Sequence, residues 1–211
     1  MLPQQLKDAL FAVNQLAVRP NRWLWRARFE STRRSERLYV HLGCGTRRIP
    51  GMLNCDGNLL RKPDIWLDLR LPLPFPDRSV EVAYSSHTLE HLFPDQALAL
   101  LREMRRVLRP DGVARVAVPD MSYALEIARG AAHCAWPRSF DDPVAQAVNF
   151  IFCDGQHKYA YNAAILGSFA SDAGFSDVRN VSLEHGLAPR KYGDVMLGDE
   201  PEGSLVMDLR P

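Results

Sequence analysis

Two imidazoles and a carboxylate stand about one helical turn apart in His87-Thr88-Leu89-Glu90-His91. The spacing H-x-x-E-H suits a zinc ion held by both histidines, with the glutamate activating water. That metalloprotease reading needs the motif well inside a helix and a further ligand downstream. His87 is instead expected at the end of a strand, so the reading stays a remote alternative and no metal is assigned. A different chemistry begins at Gly43-Cys44-Gly45, which follows the apolar run Leu38–Leu42 directly. Small residues in such a turn let the backbone approach a ligand closely. Asp56 and Asp68 close two further apolar runs, so both carboxylates are expected at the carboxyl edge of a sheet, where open α/β folds bind ligands. The arrangement suits a nucleoside. Asp56 accepts two ribose hydroxyls, at roughly 1.5–3 kcal/mol for each charge-assisted bond, while Asp68 and Leu69 border the base. Either carboxylate taken alone fits a turn cap equally well. Arg48 stands where a dinucleotide fingerprint needs its third glycine, which argues against NAD.

The elements that must position these groups read as alternating strands and helices. Strand character marks Leu38–Leu42, Met52–Cys55, Ile65–Leu67, Val80–Tyr84, Val113–Val118, Val178–Leu183 and Leu205–Leu209. An apolar stripe of Leu98, Leu101, Met104, Val107 and Leu108 predicts a helix stopped by Pro110-Asp111-Gly112. Further helices are expected over Met121–Ala132, Val144–Cys153 and Ala163–Ala173, and an N-terminal one over residues 6–17 ending near Pro20. The nine residues Gly43–Gly51, which include Pro50, are too few for a full first crossover helix. The pattern implies a mostly parallel sheet covered on both faces.

A chain of 211 residues, 46% hydrophobic and 24% charged, is one folded domain rather than a disordered or fibrous segment. Its division reads as a helical arm (1–37), a ligand-binding half (38–120), a helical acceptor region (121–176) and terminal strands (177–211). The net charge of +1 conceals an asymmetry, because residues 1–37 carry eight basic and three acidic side chains. Such an arm suits a partner or oligomer contact or an anionic ligand, or is simply a solvated helix. The segment Arg22-Trp23-Leu24-Trp25-Arg26 fits base stacking or a membrane surface, or a helix packing two tryptophans on a sheet edge with its arginines wet. Nucleic acid is not the expected partner. The four cysteines form no C-x-x-C pair, and no apolar run has membrane-spanning length, so a cytoplasmic protein without disulfides is expected.

Taken together, several motifs resemble the class I S-adenosylmethionine-dependent methyltransferases. They are Val40-His41-Leu42-Gly43-Cys44-Gly45, Asn54-Cys55-Asp56, Asp64-Ile65-Trp66-Leu67-Asp68-Leu69, Leu89-Glu90-His91-Leu92, Leu108-Arg109-Pro110-Asp111-Gly112 and Val118-Pro119-Asp120. Gly155-Gln156-His157-Lys158-Tyr159 with Ala173-Gly174-Phe175 is similar to a bacterial branch associated with cell-surface glycans. The resemblance implies a Rossmann-like sheet of seven strands and S-adenosyl-L-methionine as cofactor. It places Gly43, Cys44 and Gly45 under the methionine part, Asp56 at the ribose, Asp68 and Leu69 at the adenine, and Ser85, Ser86 and His87 on the pocket floor. His41 stands where the family usually has an acid that helps hold the cofactor's amino group.

On this reading the acceptor is a small molecule or saccharide, most simply methylated on a hydroxyl, and a base must remove its proton. His87 and His157 are the candidates, because imidazole titrates near neutrality. Trp136, Phe140, Phe150, Phe152, Tyr159 and Tyr161 are candidates for an aromatic acceptor wall or for a core, and Arg47 and Arg48 for contacts to an anionic acceptor. The alternatives are N-methylation and a module of the same fold that binds without chemistry.

Overall fold

The computed structural model describes residues 18–29, 37–182, 190–193, 195–197 and 199–211. Helical backbone over residues 18–29, α1, continues through Pro20 rather than ending there. The remainder of the expected first helix, residues 6–17, lies outside the described residues. Phe29 of α1 meets Phe75 at a ring separation of 5.1 Å, and Asn21 and Arg22 donate to the carbonyls of Trp66 and Pro72. Trp25 packs on the main core while Trp23 is 70% exposed, so one of the two tryptophans docks, not both.

The strands are β1 (Leu38–Leu42), β2 (Leu53–Asp56), β3 (Ile65–Trp66), β4 (Val80–Ser86), β5 (Leu108–Pro119), β6 (Asp177–Asn180), β7 (Lys191–Tyr192), β8 (Val195–Met196) and β9 (Ser204–Arg210). Seven of them form one sheet in the order β3-β2-β1-β4-β5-β9-β6, parallel except for β9, which runs antiparallel to both β5 and β6. This is the seven-stranded sheet expected from the pattern. The added hairpin β7–β8 was not expected.

Helices α2 (Pro94–Val107), α3 (Met121–Ala128), α4 (Pro143–Phe152) and α5 (Ala163–Asp172) complete the fold. Ala97, Leu100, Leu101, Met104 and Val107 give α2 a fully buried stripe, and Pro94 occupies its first turn, where the missing N–H costs nothing. Backbone turns extended at Leu108, so Arg109–Gly112 forms an irregular start to β5 instead of a separate loop. Gly112 is required there because a Cβ would lie 2.9 Å from the Glu81 carbonyl. α3 ends at Ala128, four residues short of expectation, with Gly130 at φ +72° behind it. Among the described residues no helix is long and apolar enough to cross a membrane.

The two faces of the sheet are closed differently. On one, α2 and α5 cover Val40, Leu42, Ala83, Val116 and Val118. On the other, Val82, Tyr84 and Val113 pack against Ile49 and Met52 from the β1–β2 connection and against Val195 and Leu197 from the hairpin region. That connection contains no helix. The hairpin is fastened by Asp208 of β9, a residue 4% exposed. Its carboxylate accepts from Arg115 Nε at 2.7 Å, Tyr192 Oη at 2.7 Å and Arg190 Nη1 at 3.1 Å. Asp208→Ala would strand the buried Arg115 guanidinium and is expected to cost about 3–5 kcal/mol, measured by urea unfolding.

Candidate functional site

The site forms where β1, β2, β4 and β5 end. Gly43 and Cys44 both donate to the Cys55 carbonyl, at 2.9 and 3.0 Å, which folds the turn after β1 back over β2. Gly43 sits at φ +78°, and a Cβ there would lie 2.2 Å from Thr88 Oγ1, so no side chain fits between this turn and the end of β4. Gly45, at φ +51°, has nothing within 4 Å of an added Cβ and leaves its backbone open to a ligand. Asp56 accepts from the Gly45 N–H at 2.8 Å and from Asn58 N–H at 2.7 Å, fixing its carboxylate beside the glycine turn. The Cys44 thiol is 2% exposed, and burial pushes its pKa up to about 11, so it supplies shape and not nucleophilicity.

Other expected groups are placed differently. Asp68 is bound bidentately by Arg70, at 2.9 Å to Nε and 2.7 Å to Nη2, and Leu69 packs partly on the main core. Ser86 Oγ donates to Glu200, whereas Ser85, just before it in the strand, is fully buried and its Oγ has no partner among the described residues. Arg48 is bonded to Asp64 and the Lys62 carbonyl, so it does not await an anionic acceptor. The aromatic residues form no single wall. Phe150 and Tyr161 are core, Tyr159 stacks near Tyr161 and Phe169, and Trp136, Phe140 and Phe152 are exposed.

His41 faces Asn54 and Tyr84 across the sheet and is 1% exposed, and its Nδ1 has no partner among the described residues. Burial pushes its pKa down to about 4, so the imidazole is neutral near pH 7 and contributes no charge. The negative charge at this place comes from Glu200, a residue that sequence reasoning missed. Its carboxylate, 8% exposed, accepts from Tyr84 Oη and from Ser86 Oγ at 2.7 Å, and Arg47 lies 3.5 Å away. The Tyr84 ring in turn packs on His41 at 4.8 Å.

His87 follows β4 at φ +48°, an uncommon conformation for a residue with a side chain. Its Nε2 lies 3.0 Å from Ser204 Oγ and 4.0 Å from Glu200, and its Nδ1 lies 3.4 Å from Glu90. His157 is placed otherwise. It is 6% exposed, with Nδ1 held at 2.5 Å by the Ile151 carbonyl, and burial lowers its pKa. An acceptor cannot reach it as expected of a base. Glu200 and Ser204 gave no motif signal, because they meet His87 only through the fold, whereas Glu90 already stands in the H-x-x-E-H motif.

The sequence family described as a methyltransferase domain matches residues 49–116, which run from the β1–β2 connection into β5. Probable S-adenosylmethionine-dependent methyltransferases of two Mycobacterium tuberculosis strains are 33% identical over 138 residues, covering 65% of this chain and 40% of theirs. The chain thus matches a methyltransferase domain over residues 49–116 and resembles S-adenosylmethionine-dependent methyltransferases over 65% of its length. It spans 40% of the length of those curated relatives. Solved structures share the methyltransferase fold. A SAM-dependent methyltransferase from Archaeoglobus fulgidus aligns with TM-score 0.54 and 16% identity, over 90% of this chain and 94% of that one. A possible exported protein from Bordetella parapertussis aligns with TM-score 0.52 and 12% identity, over 91% and 67%.

The neutral burial of His41 has a pH signature. Its folded pKa is below the unfolded value of 6.5, so the unfolded chain binds more protons as pH falls. The stabilisation is complete above pH 6.5 and is lost as pH drops toward 4. In urea titrations at pH 7 and pH 4.5, His41→Asn should reduce the acid-induced loss of stability by about 2–3 kcal/mol.

Proposed function

We propose that this methyltransferase moves the cofactor's methyl group to a hydroxyl of a small molecule, with saccharides the class suggested by the sequence, and that His87 is the base. The observation that carries the proposal is His87 itself. Held in a strained backbone at the carboxyl end of β4, it has Glu90 at 3.4 Å and Glu200 at 4.0 Å on its two nitrogens. N-methylation, the alternative at the sequence level, needs no such base.

The residues present fit S-adenosylmethionine. The open Gly45 backbone accommodates its methionine part, and Asp56 keeps lone pairs for ribose hydroxyls while accepting from the loop. Asp68 and Leu69, which follow β3 at the same edge, would border the adenine. Glu200, which accepts from Tyr84 and Ser86, would supply the negative charge that position 41 lacks and would hold the ammonium group. When bound, the cofactor supplies an electrophilic methyl on a sulfonium. The chain's own part is to hold the acceptor hydroxyl in line and to take its proton. Glu90 favours the proton on His87 Nδ1, which leaves Nε2 as the basic nitrogen. Ser204 Oγ, at 3.0 Å from Nε2, marks where an acceptor hydroxyl would approach. The two carboxylates then stabilise the imidazolium as it forms.

Calorimetry with the demethylated cofactor tests the binding half. Asp56→Ala and Glu200→Gln should each weaken it at least tenfold, about 1.4 kcal/mol, and unchanged affinities would refute those assignments. The catalytic half is tested by His87→Asn, a change that tolerates the positive φ. Turnover of labelled cofactor against a panel of nucleotide-linked sugars and amines should fall at least about 100-fold, with cofactor affinity retained. Full turnover in this variant would remove His87 as base.

A further inference from the structure

Behind His87 lies a second group of side chains, of which the methyl-transfer reading uses only Glu90. Glu90 and His91 belong to a 3₁₀ turn, Leu89–His91, and His157 lies beyond α4. Backbone joins the two segments, because the N–H groups of Lys158 and Tyr159 donate to the Glu90 carbonyl at 2.7 and 3.3 Å. Candidate ligand atoms of Glu90, His91 and His157 all lie within 4.8 Å of one another.

Glu90 is the decisive residue. It is 1% exposed, and among the described residues neither of its carboxylate oxygens accepts a hydrogen bond, the nearest groups being the imidazole nitrogens of His87 and His157 at 3.4 and 3.9 Å. A buried carboxylate without donors is among the most costly groups a fold can hold, and a cation is the natural counterpart. The histidines are oriented to share that cation. The Ile151 carbonyl fixes the proton of His157 on Nδ1 and turns Nε2, as a lone pair, toward Glu90 Oε1 at 3.9 Å. The Gln156 carbonyl stands 3.3 Å from His91 Nδ1 and leaves that ring's other nitrogen for a ligand role. Main-chain carbonyls behind ligating imidazoles are the usual outer support of a metal site.

We propose that Glu90, His91 and His157 form a site for one zinc ion. Two imidazoles and a carboxylate match zinc's donor preference, and exposed His91 gives a route of entry and leaves a fourth position to water. Ligands about 2.0–2.2 Å from an ion stand roughly 3.4 Å apart when tetrahedral. Glu90 and His157 are near that separation at 3.9 Å, and a side-chain rotation of His91 closes the rest. The same oxygen, Oε1, faces both His157 Nε2 at 3.9 Å and His87 Nδ1 at 3.4 Å, so a turn of the carboxylate that gives Oε1 to the ion leaves Oε2 for His87. The sequence motif thus misassigns its first histidine: His87 stands by as base, and its place is taken by His157.

The test uses full-length protein purified without a histidine tag and loaded with Zn²⁺ alone. After desalting, elemental analysis and native mass spectrometry should give one zinc per chain, and Co²⁺ in its place should show visible ligand-field bands. His91→Ala, at an exposed position, should weaken zinc at least tenfold in a chelator competition while its circular dichroism stays unchanged. Glu90→Gln should abolish retention. Folded wild-type protein that retains no zinc overturns the proposal, and so does a His91→Ala variant that binds as tightly as wild type. Zinc-free protein with a proton shared between Glu90 and His157, seen by imidazole NMR, is the same negative result.

Discussion

Ten residues separate the end of β1 from the start of β2, and they form turns without a helix. A parallel strand buried in the middle of a sheet needs both faces covered, so something else must close the face that a crossover helix would have taken. Part of the cover is the connection itself, through Ile49 and Met52, and the remainder comes from Val195 and Leu197 beside the hairpin. Asp208, with Arg115, Arg190 and Tyr192, holds that hairpin to the sheet. The same stretch of chain then delivers Glu200 to the end of β4. A short first connection therefore determines both where the second core lies and where the site gets its charge.

The electrostatic design follows from that substitution. Position 41 on β1 carries a neutral, buried imidazole, and the negative charge near it belongs to Glu200, far along the chain. His87 is left between two carboxylates of different origin, Glu90 in the turn after it and Glu200 from the far end. Tyr84 links these parts, since its ring lies on His41 and its hydroxyl donates to Glu200.

The local features were legible in the sequence because each has a local cause. Gly43 and Gly45 announce a turn that excludes Cβ, Asp56 ends an apolar run, and alternating apolar runs and stripes give the strand order its material. The end of α2 was legible only to within a few residues, because Pro110-Asp111-Gly112 signals a break but not that the break lies inside a strand pairing. The β7–β8 hairpin has two-residue strands, too short to show a period. Glu200 is an acidic residue among Gly198, Asp199 and Pro201, where it resembles any loop carboxylate. The aromatic residues after β5 were ambiguous for a related reason: composition does not distinguish an exposed Trp136 from a buried Tyr161.

The pairing of Arg47 with Glu200 spans 153 positions of sequence. Closure over so long a segment is slow compared with the local contacts that build α2 or the β1–β2 turn. During synthesis the glycine turn, Asp56 and His87 are all made while one wall of the pocket is still missing. The pocket is complete only with Glu200 in place beside antiparallel β9, which lies between β5 and β6. A ligand that binds the complete pocket therefore stabilises the docked position of the Glu200 segment by mass action.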